Sequence, residues 1–97
     1  TRMGHYARHV CTDPGEIARI EQLVTELPSQ ARVRLHQRDG AEILGVVTER
    51  PAVQLFQDAD GIEGVNAFVR LDDPDAPPWS AYIWLSDIER VERLDVD

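Results

Sequence analysis

The spacing of apolar residues along the chain changes once, from a helical period to a strand period. In the helical part, apolar residues recur at intervals of three and four, namely Ile17, Ile20, Val24 and Leu27. This spacing puts them on one face of a helix. Asp13 suits the N-cap and Pro14 the first turn, while Pro28 forces the chain out of helical geometry. The pattern predicts an amphipathic helix over residues 14–27.

Strict alternation of polar and apolar residues begins after residue 31 and predicts a β-hairpin. Asp39-Gly40 supplies the positive φ angles of a tight turn, and a second extended run covers residues 41–50. With Asp39 and Gly40 as the two loop residues, Leu35 faces Leu44. Gly45 falls in mid-strand, where a residue without a Cβ marks a sharp bend or a close approach.

Further short extended runs follow the hairpin. We expect strands over 52–57, 62–71, 79–85 and 88–94. Gly64 is expected to form a bulge in the long run. Residues 72–78 hold three prolines and predict an acidic surface loop. Short strands with tight turns favour a small closed or nearly closed barrel.

Length and composition indicate one globular domain. The 97 residues are 42% hydrophobic and 29% charged, which is typical of a folded protein. We expect an N-terminal arm over 1–12, a domain over 13–97, and its barrel over about 31–95. Met3 is expected to be the natural start and Thr1-Arg2 a cloning remnant. We also expect a cytoplasmic protein with no membrane association, because there is no long apolar run and only one cysteine.

The charge of the chain is unevenly distributed. The formal net charge is −8, and the basic residues are all arginine. Residues 1–50 hold seven arginines and seven acids, so residues 51–97 carry the whole excess of negative charge. Nucleic-acid affinity begins with a basic surface. The charge therefore argues against general nucleic-acid binding.

Two segments resemble the motifs of Sm-like proteins. The positions that resemble the first motif are Val33, Leu35, Gly40, Gly45 and Val47. Residues 82–88 look like the second motif, a strand followed by a tight turn and an apolar residue that opens the last strand. The resemblance covers about residues 14–95 and is closest to variant Sm-like domains, a family of small uncharacterised bacterial proteins. It implies a mainly β protein with one N-terminal α-helix and a small, strongly bent, five-stranded antiparallel Sm-like (SH3-like) barrel.

The sequence departs from RNA-binding Sm proteins at the positions that hold RNA. Those relatives carry an Asp and an Asn in the loop after the bent strand. In this chain that loop is Thr-Glu-Arg-Pro-Ala, residues 48–52. Trp84-Leu85 stands where they carry Arg-Gly. Their RNA site is therefore not carried over. Sm-like proteins also form rings by pairing the fourth strand of one subunit with the fifth of the next, which implies a homo-oligomer, either a dimer or a ring.

An arginine stripe is the first candidate binding site. Alternation places four residues on one face of the first strand, namely Arg32, Arg34, His36 and Arg38. Arginine donates two parallel hydrogen bonds to phosphates and stacks on bases, so single-stranded RNA could lie across this face. The competing interpretation is a solvated face neutralised by Glu42, Glu49 or the acids of the second half of the chain.

An aromatic group is the second candidate, formed by Trp79, Tyr82 and Trp84. Alternation places Tyr82 and Trp84 on the side of the strand opposite Trp79 and Ile83. An exposed Trp beside an unpaired strand edge would favour self-association or a peptide partner. The competing interpretation is that Tyr82 and Trp84 pack beneath the apolar stripe of the helix.

Metal, cofactor and catalytic chemistry have little support in the sequence. His5, His9 and Cys11 could ligate zinc in principle, but three ligands in an arm fall short of a structural site. Asp58 and Asp60 suit a turn better than a calcium loop, since the final glutamate of that loop is missing. We therefore expect no metal and no cofactor. No nucleophile motif or phosphate loop occurs, so we expect no enzyme activity.

Two functions remain open. The first is a non-catalytic Sm-like module that self-associates or binds a protein partner through a sheet edge. The alternative is single-stranded RNA binding by the arginine stripe, which the net charge and the missing motifs disfavour.

Overall fold

The structure is a computed structural model that describes residues 5–73, 75 and 79–95, with only the backbone of His5. The elements are β1 (His5–Tyr6), α1 (Pro14–Thr25), β2 (Arg32–Gln37), β3 (Glu42–Val47), β4 (Gln54–Gln57), β5 (Glu63–Asn66), β6 (Phe68–Asp72), β7 (Ser80–Trp84), a short 3₁₀ helix (Leu85–Asp87) and β8 (Ile88–Arg93). No helix in these residues is long and apolar enough to cross a membrane. Parts of the predicted loop 72–78 lie outside the described residues.

The helix α1 begins where the sequence predicts. The Asp13 carboxylate accepts hydrogen bonds from the backbone N–H groups of Gly15 and Glu16, at 2.9 and 3.2 Å, so it acts as the N-cap. The helix ends at Thr25, two residues before the predicted end. Four predicted apolar residues, Ile17, Ile20, Val24 and Leu27, are buried or pack against the core, and Leu23 joins them.

The hairpin β2–β3 has a three-residue loop, so its predicted register is wrong by one residue. The Gln37 N–H donates to the Ala41 carbonyl over 2.8 Å, and Gly40 has a φ of 92°. This is the arrangement of a turn followed by a bulge residue with positive φ. Leu35 consequently faces Ile43 instead of Leu44. Leu44 points to solvent, since a one-residue shift moves side chains to the other face.

Gly45 confirms the expected close approach in mid-strand. A Cβ at this position would lie 2.9 Å from the Leu71 Cβ and 3.1 Å from the Asp72 carbonyl oxygen. Strand β6 pairs with β3 at this point. The missing side chain of Gly45 therefore lets β6 lie against β3.

The long predicted strand over 62–71 is divided into two strands that belong to different sheets. It breaks at Ala67. The buried Asn66 side chain stabilises the break: its Nδ2 donates to the His9 carbonyl and to Ser86 Oγ, both over 2.9 Å. Its Oδ1 accepts from the N–H groups of Ala67 and Ser86. Gly64 pairs in regular register with Phe56, so the predicted bulge is wrong.

These divisions replace the single predicted barrel by two sheets. One sheet has five strands in the order β7-β6-β3-β2-β8 with antiparallel neighbours, and the other has the order β1-β4-β5 with β1 parallel to β4. Within the described residues β7 and β8 are the two ends of the larger sheet and do not pair with each other. The expectation of a closed five-stranded barrel is therefore wrong, because closure would require β7 to pair with β8. The segment between β3 and β6 forms β4 and β5 of the second sheet instead.

The main core lies between α1 and the inner face of the larger sheet. Its fully buried members include Ile20, Leu23, Leu35, Leu71 and Leu85. The segment assigned to an N-terminal arm packs against the sheets from residue 5 onward. Ala7 and Val10 are buried with Phe56 in a second, smaller cluster, against which Trp84 packs.

Candidate functional site

Aromatic side chains from four strands line a surface pocket of about 370 Å³. We call them the aromatic patch; its members are Tyr6, Phe56, Phe68, Tyr82 and Trp84. Tyr6 comes from β1 and Phe56 from β4, whereas Phe68 lies on β6. The patch thus spans the junction between the two sheets, and both sheets are needed to form it.

Trp84 occupies the centre of the aromatic patch. Its ring centroid lies 5.1 Å from that of Phe56 and 5.7 Å from that of Phe68, and both pairs meet edge to face. Phe68 also meets Tyr82 at 5.8 Å. These separations are in the range of favourable aromatic pairs. Trp84 is therefore held in place by its neighbours and is only partly exposed.

Tyr82 is an exposed aromatic residue of β7. Its side chain is 64% exposed, whereas the neighbouring Ile83 is buried in the main core. Tyr82 and Trp84 lie on the face away from α1, so the interpretation that they pack under the helix stripe is wrong. Trp79, the third predicted residue, is 42% exposed and does not line the aromatic patch.

The outer edge of β7 lies beside Tyr82. The Leu85 N–H donates to the Ala67 carbonyl over 2.9 Å. In an antiparallel pair of strands, every second residue bonds to the neighbouring strand, so this bond identifies which residues of β7 bond to β6. Every second residue of β7, namely Ser80, Tyr82 and Trp84, then directs its backbone N–H and C=O away from β6. No strand in the described ranges pairs with this edge.

The opposite end of the sheet is the outer edge of β8, which a side chain covers at Glu89. The Leu94 N–H donates to the Arg32 carbonyl. By the same alternation, Glu89, Val91 and Arg93 direct their backbone N–H and C=O groups away from β2. The Arg19 guanidinium donates to the outward Glu89 carbonyl. Strand β8 also carries four charged residues, whereas β7 has none.

Two members of the arginine stripe, Arg34 and His36, contact acidic side chains. Arg34 Nη1 lies 3.1 Å from Glu92 Oε1, and Arg34 Nε lies 3.8 Å from Glu42 Oε1. His36 contacts the same two carboxylates, with Nε2 at 3.1 Å from Glu92 and Nδ1 at 3.4 Å from Glu42. Arg38 Nε donates to the Ser86 carbonyl. Neutralisation by Glu42 and by one acid of the second half, Glu92, thus holds for Arg34 and His36. Arg38 is not on the strand face as predicted, because β2 ends at Gln37 and Arg38 lies in the hairpin loop.

Glu92 is the acceptor at the centre of this network. The hydrogen bond from His36, together with that from Arg34, holds the pKa of the Glu92 carboxyl below its usual value despite partial desolvation. Arg90 Nη2 lies 3.2 Å from the same His36 nitrogen. That nitrogen donates to Glu92 when it carries a proton and accepts from Arg90 when it does not.

Asp58 and Asp60, which the sequence assigns to a turn, lie between β4 and β5. Asp58 Oδ1 accepts from the N–H groups of Asp60 and Ile62, at 2.9 and 3.0 Å. Both bonds are local side-chain to backbone bonds of the kind that make Asp frequent in turns. The turn interpretation is therefore confirmed.

Comparison with known proteins identifies the family. The family model described as Domain of unknown function (DUF3247) matches residues 4–94. The chain belongs to the DUF3247 family. No curated protein matches the sequence. A Xanthomonas campestris protein, whose crystal structure is described as adopting a novel variant of Sm-like motif, is 39% identical, with a TM-score of 0.87 over 93% of this chain and 97% of its own.

The similarity confirms the Sm-like resemblance on which the sequence interpretation relied. DUF3247 names a family without a function, so the comparison shows the fold and leaves the ligand open. Sequence reasoning missed Tyr6, Phe56 and Phe68 as members of the aromatic patch. They lie far apart in the chain, and the pairing of β1 with β4, of β4 with β5 and of β6 with β7 brings them together.

Proposed function

We propose that this DUF3247 protein is a non-catalytic assembly module that self-associates through the outer edge of β7, pairing it with β8 of a second copy. Unpaired strand edges are templates for another strand, and natural proteins usually protect them with charges, prolines or bulges. The observation that carries the proposal is that β7, Ser-Ala-Tyr-Ile-Trp, is an end strand with none of these protections.

The aromatic patch also supports self-association through the β7 edge. Tyr82 and the partly exposed Phe68 and Trp84 lie beside the β7 edge and would be covered by an added strand. Tyr and Trp are the residues that most often supply binding energy at interfaces, since they bury large areas at low entropic cost. In Sm-like proteins the fourth and fifth strands join subunits, and β7 and β8 are the fourth and fifth strands of the larger sheet in chain order.

The charge network weighs against the alternative of RNA binding. Arg34 and His36 would have to leave Glu42 and Glu92 before they could contact a phosphate. Binding would then leave two carboxylates facing the nucleic acid. No described feature favours RNA over a protein surface, so self-association is the function we put forward.

Light scattering coupled to size exclusion tests the proposal over a range of concentrations. Tyr82→Ala removes the ring and keeps the outward N–H, whereas Tyr82→Pro removes both without touching the bonds to β6. Leu55→Ala is the matched control, because Leu55 is 66% exposed but lies on β4. We avoid Trp84→Ala, since Trp84 also packs within the subunit.

We expect a defined oligomer for the unmodified protein and for Leu55→Ala, weaker assembly for Tyr82→Ala, and a monomer for Tyr82→Pro. An oligomer larger than a dimer supports pairing of β7 with β8, while a dimer would indicate β7 against β7. A monomer at all concentrations contradicts self-association and leaves a different protein as the partner of this edge.

A further inference from the structure

Three side chains with different metal-binding atoms converge at the start of α1, and none of them lines the aromatic patch. They are His9, Cys11 and Glu16, and one ligand atom of each lies within 4.8 Å of the others. His9 Nε2 and Glu16 Oε2 lie 3.9 Å apart. They line a cleft of about 680 Å³ that also involves the 3₁₀ helix.

The fold holds the backbone of this group firmly. The Cys11 N–H donates to the Val65 carbonyl over 2.8 Å, and the Val65 N–H donates to the Cys11 carbonyl over 2.9 Å. Gly64 permits this approach, because a Cβ there would lie 2.7 Å from the Cys11 carbonyl oxygen. The His9 carbonyl is bonded by the buried Asn66 amide. Two of the three ligands are therefore anchored to β5 before any ion binds.

The side chains keep the freedom that closure around an ion requires. His9 and Glu16 are about half exposed. Ligand distances of about 2.0 to 2.3 Å in a tetrahedral zinc site put ligand atoms roughly 3.2 to 3.8 Å apart. The observed separations are at most 4.8 Å and so exceed this range by up to about 1.0 to 1.6 Å, which rotamer changes of the two exposed side chains can supply.

We propose that His9, Cys11 and Glu16 form a binding site for a zinc ion, with the cleft supplying room for a fourth ligand such as water. One thiolate, one imidazole and one carboxylate are a ligand set that suits Zn²⁺ and excludes Mg²⁺ and Ca²⁺, which require oxygen ligands. Three protein ligands with an open position are the arrangement of an accessible zinc site instead of a closed structural one.

The protonation of Cys11 follows from its surroundings. Burial raises the pKa of the thiol, the nearby Glu16 carboxylate raises it further, and Arg38 partly offsets them. The metal binds the thiolate, so zinc binding releases the thiol proton. The other charged residues lining the cleft are Asp13, Arg19, Arg38 and Asp87. Their charges are balanced in sign, so they neither repel nor concentrate a cation strongly.

Metal titration tests the site on untagged, chelator-treated protein. Zn²⁺ affinity is measured by competition with a chromophoric chelator, and Co²⁺ substitution reports the thiolate through its ligand-to-metal charge-transfer band in the near ultraviolet. The site variants are His9→Gln, Cys11→Ser and Glu16→Gln. His36→Gln and Glu21→Gln are the matched controls, because they remove a histidine on β2 and an acid on the exposed face of α1.

We expect one zinc per chain, with the cobalt thiolate band present in the unmodified protein and both controls and absent in Cys11→Ser. Each site variant should weaken zinc binding by more than the roughly tenfold that loss of an outer-sphere partner costs. Circular dichroism verifies that each variant is folded, and Cys11→Ala provides a second test if the serine variant unfolds. Absence of the cobalt band, or equal zinc affinity in the site variants and the controls, would overturn the site.

Discussion

Asn66 joins the two sheets, so replacing it should destabilise the whole fold. The side chain is fully buried and makes four hydrogen bonds, two as donor to His9 and Ser86 and two as acceptor from Ala67 and Ser86. Asn66→Ala removes all four at once. The buried N–H of Ala67 then loses its acceptor, while the part-buried groups of His9 and Ser86 can bond water instead.

The expected cost follows from those partners. A buried polar group left unsatisfied costs about 1 to 3 kcal/mol, and Asn66→Ala leaves the N–H of the fully buried Ala67 in that position. The part-buried groups of His9 and Ser86 lose their bonds as well but regain water in part, so we expect a total loss of about 2 to 4 kcal/mol. That is a large part of the roughly 5 to 15 kcal/mol available to a domain of this size.

Urea unfolding of Asn66→Ala, Asn66→Asp and the exposed control Gln54→Ala measures the effect. The aspartate retains the two acceptor bonds but loses both donor bonds, so its loss should also be large. Gln54 pairs with Asn66 across β4 and β5 but is exposed, and its change should stay within about 0.5 kcal/mol. A loss below about 1 kcal/mol for Asn66→Ala would refute the assigned role of the amide.

Three further perturbations test other parts of the structure. Gly45→Ala brings a Cβ to 2.9 Å from Leu71 and should cost about 1 to 3 kcal/mol of unfolding free energy, as overpacking does, measured by thermal denaturation; a neutral result would contradict the close approach of β6. Trp84→Ala should cost about 3 kcal/mol or more, because Trp84 packs between two aromatic rings, whereas Tyr82→Ala should cost under about 0.5 kcal/mol in the monomer; equal losses in urea titrations would refute the distinction. The pKa of Glu92 is lowered in the folded state, so its stabilising effect is complete above the pKa of the unfolded chain and is lost as pH falls through the folded pKa. Glu92→Gln should therefore be less stable than the unmodified protein at neutral pH and equal to it in strong acid, and a difference that persists in acid would contradict this assignment.

The helix and the strands of the larger sheet could be predicted because their signals are local. Asp13, Pro14 and Pro28 define the ends of α1, and the alternation after residue 31 defines β2. The loop length of the hairpin could not be predicted, since Asp39-Gly40 is compatible with two-residue and three-residue loops. The choice depends on the conformation of Arg38, which the sequence does not specify.

The second sheet and the candidate sites depend on contacts between distant residues. Nothing near Ala67 in the sequence distinguishes a bulged strand from a corner, because the corner is stabilised by Asn66 bonds to His9 and Ser86. The sequence likewise does not group Glu16 with His9 and Cys11 as a metal ligand, because only the folded chain brings Glu16 beside them. Its position beside them depends on where α1 begins relative to β5.

Hydrogen exchange of individual β7 amides as a function of protein concentration tests the central claim most directly. The Tyr82 N–H points away from β6, so it exchanges rapidly in a free subunit, whereas the Ile83 N–H is bonded within the sheet. The account predicts that raising the concentration slows exchange at Tyr82 markedly and leaves Ile83 unchanged. Exchange at Tyr82 that stays equally fast at every concentration would contradict assembly through this edge.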